Sequence, residues 1–156
     1  MKIEEFKAAV GKFPTGVTVI STSYDDKLWG FTANSFNSVS LEPRLISFCL
    51  NKEAGSFDVF RETTHFSVSI LSSDQASLSA HFASRISNKF DSVEYRIGEY
   101  SNAPLLSGAV SFIECKKYDQ FECGDHFIFI GEVGKISIDE TKSPLLYFAK
   151  SYSELK

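Results

Sequence analysis

The sequence predicts a mainly β fold with flanking helices, its antiparallel strands closed or partly closed into a barrel. Three observations predict it. Short apolar runs bounded by turn residues recur along the whole chain. Only three segments carry helical spacing or a helix-start signal. Strands and long helices do not alternate, as a βαβ sheet would require. At 156 residues, with 43% hydrophobic residues and 15 Phe, the chain suits one domain, 1–156, with a real core.

The elements follow in order. Ile3, Phe6 and Val10 recur at helical spacing, which predicts an opening amphipathic helix of about three turns. Phe13-Pro14-Thr15-Gly16 breaks it. Val17 to Thr22 reads as a strand, Tyr24 to Lys27 as a polar turn, and Trp29 to Ser35 as the hairpin partner. Beyond Pro43, the run Leu45 to Leu50 is apolar enough for a strand buried on both faces. Ser56 is placed to cap a short helix bearing Phe57 and Phe60. From His65 to Leu71, Phe66, Val68 and Ile70 alternate with Ser67 and Ser69, the period of a strand. Ser72-x-x-Gln75 fits a capping box for a helix whose apolar face holds Leu78 and Phe82. Residues 83–103 show no period and read as loop. Two long strands, Ser107 to Lys117 and Phe127 to Ile138, are expected as antiparallel neighbours joined through Tyr118 to Asp125. Tyr147 to Lys150 forms the last short element.

Charge and composition exclude several classes. A net charge of -4 without a basic stripe argues against nucleic-acid binding. The three cysteines form no C-x-x-C pair, and the three histidines at 65, 81 and 126 offer no zinc-ligand spacing. Free thiols fit a reducing cytoplasm. Met1-Lys2-Ile3-Glu4-Glu5 places acids where a signal peptide needs an apolar run, and no run of 18 apolar residues predicts a membrane span.

Three stretches are candidates for chemistry. In Thr32 to Ser40, six of nine residues are Ser, Thr or Asn, although apolar runs flank the segment. Such a run suits a wall of donors and acceptors facing a flat polar ligand. A hydrated loop with an edge strand fits it equally well. Asn51-Lys52-Glu53-Ala54-Gly55-Ser56 ends at an expected helix start, where free N–H groups attract anions. A plain capped helix is the alternative. In Gly124-Asp125-His126 the imidazole is placed to donate to a substrate amide, or simply to pair with Asp125. His65 and His81 lie on ordinary strand and helix patterns. The chain has no G-x-G-x-x-G after its first strand and no G-x-S-x-G, so neither a Rossmann site nor a serine nucleophile is supported. An enzyme without acid–base machinery of its own relies on a cofactor for the hard step.

Four motifs in order resemble the flavin reductase-like family. They are Phe13-Pro14-Thr15-Gly16-Val17, Thr32-Ala33-Asn34-Ser35-Phe36, Ser38-Val39-Ser40-Leu41, and Gly124-Asp125-His126 followed by Ile130-Gly131-Glu132-Val133. Order and spacing agree from about residue 6 to residue 152. The resemblance implies an FMN-binding split β-barrel of antiparallel Greek-key type and a homodimer. It implies an NAD(P)H-dependent flavin reductase that passes a hydride from NADH or NADPH to FMN or FAD. Reduced flavin would then go to a partner flavin-dependent monooxygenase. A flavin-binding electron-transfer or sensory protein with little NAD(P)H oxidation would share the same site.

Carried over by position, Thr32, Ala33, Asn34 and Ser35 would line the isoalloxazine. Ser38, Val39 and Ser40 would continue that wall, with Cys49, Leu50 and Asn51 on the adjoining strand. Ser56 and Phe57 would hold the phosphate end, and Phe82, Ala83, Lys89 and Phe90 match a family F-A…D-K-F pattern near the flavin. His126 would position the nicotinamide, and Tyr152 matches a C-terminal tyrosine of the same pocket. The chain departs from the family at Asn88, where Asp is usual, and at Arg44, where a second Pro is common.

Overall fold

The computed structural model describes residues 1–156. The chain runs α1 (Ile3–Val10), β1 (Thr15–Gly16), β2 (Thr18–Tyr24), β3 (Lys27–Ala33), β4 (Asn37–Leu41), β5 (Arg44–Asn51), α2 (Phe57–Glu62), β6 (His65–Ile70) and α3 (Ala76–Ala83). It continues through β7 (Tyr95–Ile97), β8 (Pro104–Leu106), β9 (Ser111–Cys123), β10 (His126–Ile138), β11 (Leu145–Phe148) and β12 (Ser151–Glu154). The predicted class, mainly β with few helices, is the one observed.

A seven-stranded sheet in the order β3-β2-β6-β9-β10-β5-β4 forms the body, and every pairing in it is antiparallel. The sheet is open, with β3 and β4 as its edges. One core cluster gathers Ile20, Phe48, Phe60, Phe66, Val68, Cys115 and Phe129. A second lies where α3 packs on the sheet and joins Val19, Leu71, Phe82, Phe90 and Leu106.

Several expected boundaries move, each for a local reason. Asp25 and Asp26 both adopt positive φ, 49° and 59°, the requirement of a two-residue type I′ hairpin. The returning strand therefore starts at Lys27 and ends at Ala33. β5 is not buried on both faces: Ile46, Phe48 and Leu50 are buried, and Leu45, Ser47 and Cys49 are only partly covered. The opposite case is β6, whose serines are buried as well. Ser67 Oγ donates to the Pro104 carbonyl at 2.5 Å, and Ser69 Oγ accepts from the Leu106 N–H at 3.1 Å. Both partners lie on β8.

Residues 83–103 contain a strand, β7, that pairs with β8. Three residues are too few to display a period. The expected connector from Tyr118 to Cys123 is strand, so β9 and β10 turn within Gly124-Asp125 alone. The chain also continues past Lys150: Ala149 and Lys150 form a second positive-φ turn, and β12 returns on β11.

The capping signals are half right. α2 follows Ser56, yet the Ser56 hydroxyl makes no capping bond. Before α3, Gln75 Oε1 accepts from the Ser72 N–H at 3.0 Å, as in a capping box. The Ser72 hydroxyl turns instead to Asp74 and to the Gly108 carbonyl.

Candidate active site

The free edge of β3 borders a cleft of about 1250 Å³. Its walls come from β3 and the preceding turn, the end of β5, the loop into α2, the end of α3, the following loop to Asp91, and Tyr95. Eight of the predicted residues meet there: Thr32, Leu50, Asn51, Ser56, Phe82, Ala83, Lys89 and Phe90. They come from five separate stretches of sequence.

The polar segment divides by role. Thr32 Oγ1 donates to the Ser79 carbonyl at 2.6 Å and ties β3 to α3. Ala33 is buried in the first core, and its carbonyl accepts from Thr18 Oγ1 at 2.7 Å. Ser35 Oγ accepts from the Cys49 N–H at 2.9 Å and donates to the Cys49 carbonyl at 3.3 Å. One hydroxyl thus links the chain beyond β3 to β5. Asn34 is exposed and lines a smaller cavity of about 170 Å³ with Val17, Thr32, Ser79, Ala83, Tyr147 and Tyr152. Thr32 and Ala83 border both cavities, so the two adjoin. Ser38, Val39 and Ser40 lie on edge strand β4, with Val39 at a register shift and exposed.

The 84–91 loop hangs from α3. Lys89 Nζ donates to the Phe82 carbonyl at 2.8 Å and to the Gly30 carbonyl at 3.3 Å. Burial lowers the Lys89 pKa below the ordinary lysine value. The His81 ring Nε2 pairs with the Lys89 carbonyl at 2.7 Å. Phe82 and Phe90 meet edge-on, their centroids 5.0 Å apart, and close against Gly30. Asn88 takes positive φ, 55°, in this loop.

Besides Ala33, Ser35, Ser38, Val39 and Ser40, three predicted residues stand apart from both cavities. Phe57 is buried and meets Phe127 edge-on, so its ring serves the core. Cys49 is half-buried on β5, and burial raises its thiol pKa. His126 lies at the start of β10 opposite Asn51, which does border the cleft. Its Nδ1 pairs with Asp125 at 2.7 Å; that bond, and then the imidazole's charge, lower the Asp125 pKa. Lys52 braces the same turn, its N–H donating to the Asp125 carbonyl at 3.0 Å and its ammonium pairing with Glu122.

Tyr152 reaches the smaller cavity from β12, its hydroxyl 2.9 Å from Ser79 Oγ. Ser79 escaped the sequence reading. Its spacing to Phe82 and Ala83, i, i+3 and i+4 on one helix face, is the signal that finds it. Leu28, Trp29 and Tyr95 were also missed. They lay in an ordinary hairpin and in a stretch without period.

Comparison with known proteins gives one family. The model of the "Flavin reductase like domain" matches residues 10–156. An NADH-dependent FAD reductase of Streptomyces globisporus is 41% identical over 133 residues, 83% of this chain and 72% of that protein. The reductase subunit HsaB of a flavin-dependent monooxygenase of Mycobacterium tuberculosis is 34% identical over 153 residues, covering 97% and 81%. Among solved structures, the Streptomyces globisporus NADH:FAD oxidoreductase SgcE6 with NAD and FAD fragments superposes with a TM-score of 0.95 at 36% identity, over 98% and 92% of the two chains. Flavin reductase PheA2 superposes at 0.92 and 38% identity over 100% and 99%. The motifs, the mainly β fold and these matches agree, and the chain belongs to the flavin reductase-like domain family.

Proposed function

We propose that this chain is an NAD(P)H-dependent flavin reductase. It reduces FMN or FAD with NADH or NADPH and supplies the reduced flavin to a partner flavin-dependent monooxygenase. The observation that carries this reading is the cleft along β3, which gathers eight of the residues expected to touch flavin. Relatives named as an NADH-dependent FAD reductase and as a monooxygenase reductase subunit support it.

The residues of the cleft fit such a ligand. Phe82, Phe90 and Leu50 offer apolar surface, while Thr32, Asn51, Ser56 and the backbone of β3 offer polar groups. Each neutral hydrogen bond contributes only about 0.5–1.5 kcal/mol net, so several act together along the flavin's pyrimidine edge. Ser56, whose hydroxyl makes no capping bond, stands at the phosphate end. Ala33, Ser35, Ser38, Val39, Ser40, Cys49 and Phe57 support that wall from behind or beside it. Asn34 and Tyr152, in the adjoining cavity, and His126, next to Asn51, orient the nicotinamide. Bound flavin supplies the redox chemistry by accepting a hydride; the protein binds, orients and limits water.

The same reading takes residues 1–156 as one domain, a Greek-key split barrel that works as a cytoplasmic homodimer. The packing of Phe31 on β3 against Phe48 on β5, ring centroids 5.8 Å apart, supports the barrel, since it brings an edge strand of the open sheet back onto β5.

The test is NADH oxidation by purified protein under air, with and without FMN or FAD. Multiple turnovers that require added flavin are expected. Tight flavin binding with negligible turnover would point instead to an electron carrier or sensor and defeat the proposal.

A further inference from the structure

Ser79 serves both cavities at once. It is fully buried on the side of α3 that also carries Phe82 and Ala83. Its carbonyl accepts from Thr32 Oγ1 at 2.6 Å and so ties down β3, the strand that borders the larger cleft. Its hydroxyl lies 2.9 Å from the Tyr152 hydroxyl, in the wall of the smaller cavity. The main chain of one residue thus fixes the first wall, and its side chain fixes the second.

The strand that brings Tyr152 to this point has little else to hold it. All four residues of β12 are exposed, and the strand pairs with β11 alone. It leaves β11 through the turn in which Ala149 and Lys150 both take positive φ. The Tyr152 ring packs on Tyr147 of β11, 5.5 Å between centroids, which fastens it to its own hairpin. The bond to Ser79 is the one side-chain hydrogen bond between β12 and the rest of the fold. Its two ends differ in what they stand to lose. Tyr152 is 40% exposed and can turn to water, whereas the Ser79 hydroxyl is buried and makes no other hydrogen bond. Leaving a buried hydroxyl unpaired is unfavourable, so the bond holds Tyr152 against α3.

We propose that Ser79 is a positioning residue for hydride transfer. Its hydroxyl latches Tyr152, and with it β12, as the wall of the cavity that takes the nicotinamide. The inference rests on the flavin reductase reading, which gives that cavity to the nicotinamide and the cleft to the flavin. The Thr32 bond ends on the Ser79 main chain. Removing the hydroxyl therefore loosens the nicotinamide wall and leaves the flavin wall tied.

Ser79→Ala is the first variant, because alanine fits the space and suits a helix. In steady-state NADH oxidation with added FMN, it should raise the KM for NADH about two- to tenfold, what one neutral hydrogen bond contributes. The Kd for FMN should stay nearly unchanged. Tyr152→Phe keeps the ring, loses only the hydroxyl, and should give the same split. The double variant should be no worse than either single one, because the two hydroxyls make one bond. Amide hydrogen exchange should quicken in β12 and stay as it is in β3. An unchanged KM for NADH, additive effects in the double variant, or an equal loss of FMN affinity would overturn the latch and spare the flavin reductase reading. If Ser79→Ala does not fold, Tyr152→Phe decides by the same KM and exchange measurements. A wild type that oxidises no NADH when flavin is added overturns both the reading and the latch.

Discussion

At Cys115 the fold turns a reactive group into a core side chain. The residue is fully buried between β6 and β10, and burial, then the nearby Glu114 charge, push its pKa from the ordinary 9.0 up to about 12. A thiol raised in this way keeps its proton in the native state while the unfolded chain gives it up. Its contribution is whole below about pH 9 and is lost as pH rises from 9 towards 12. Between pH 8 and 10 the wild type should lose about 1.4 kcal/mol that Cys115→Ala does not lose. Urea denaturation of both proteins at the two pH values measures it, and parallel losses would refute the assignment. His126 gives a functional test at the same scale. Under the proposed role, His126→Ala raises the KM for NAD(P)H about two- to tenfold, the worth of one hydrogen bond of about 0.5–1.5 kcal/mol, with flavin affinity nearly unchanged. A normal KM in steady-state assays would sink the role. Sequence could name His126 from its motif. It could not show that His126 borders neither cavity, because that depends on the pairing of β10 with β5.

The long hairpin β9–β10 shows what an element adds to a motif. Gly131, within the Ile130-Gly131-Glu132-Val133 motif, sits at a register shift between the two strands. A Cβ there would come within 2.9 Å of Cys115 Cβ and run into the Phe66 ring. Gly131→Ala should therefore destabilise the protein by about 1–3 kcal/mol, the usual cost of overpacking a core. An unchanged denaturation midpoint would show that Phe66 can move aside. Strands were legible where an apolar run or a period of two marks them, as in β2, β5, β6 and β10. Short β7 and β8 were not, because their pairing across six loop residues depends on contact and leaves no local pattern. Period also failed to predict burial on β6. Ser67 and Ser69 read as a polar face, yet β8 covers them and satisfies both hydroxyls.

Over the whole molecule, the apolar side of α1 remains uncovered by the chain itself. Ile3, Phe6 and Val10 are 61%, 52% and 53% exposed, and the helix has no buried residue. The periodicity is real, but no other element of the chain covers that face. That observation supports the proposed homodimer. Sedimentation equilibrium at micromolar concentration should give a mass twice 17.4 kDa; a monomer at that concentration would remove the dimer from the proposal. The sequence by itself determined the mainly β class, the order of the long elements and the family, because period, turn residues and ordered motifs are properties of adjacent positions. It also marked Thr32 to Ser40 as unusual. Only the tertiary structure decided what that segment's side chains do: Thr32 ties β3 to α3, Ser35 bridges to β5, and Asn34 opens onto a cavity. Those partners lie 14 to 47 residues away along the chain. A hydroxyl has the same chemistry as a ligand donor or as a strut, and its nearest neighbour in space determines which it becomes.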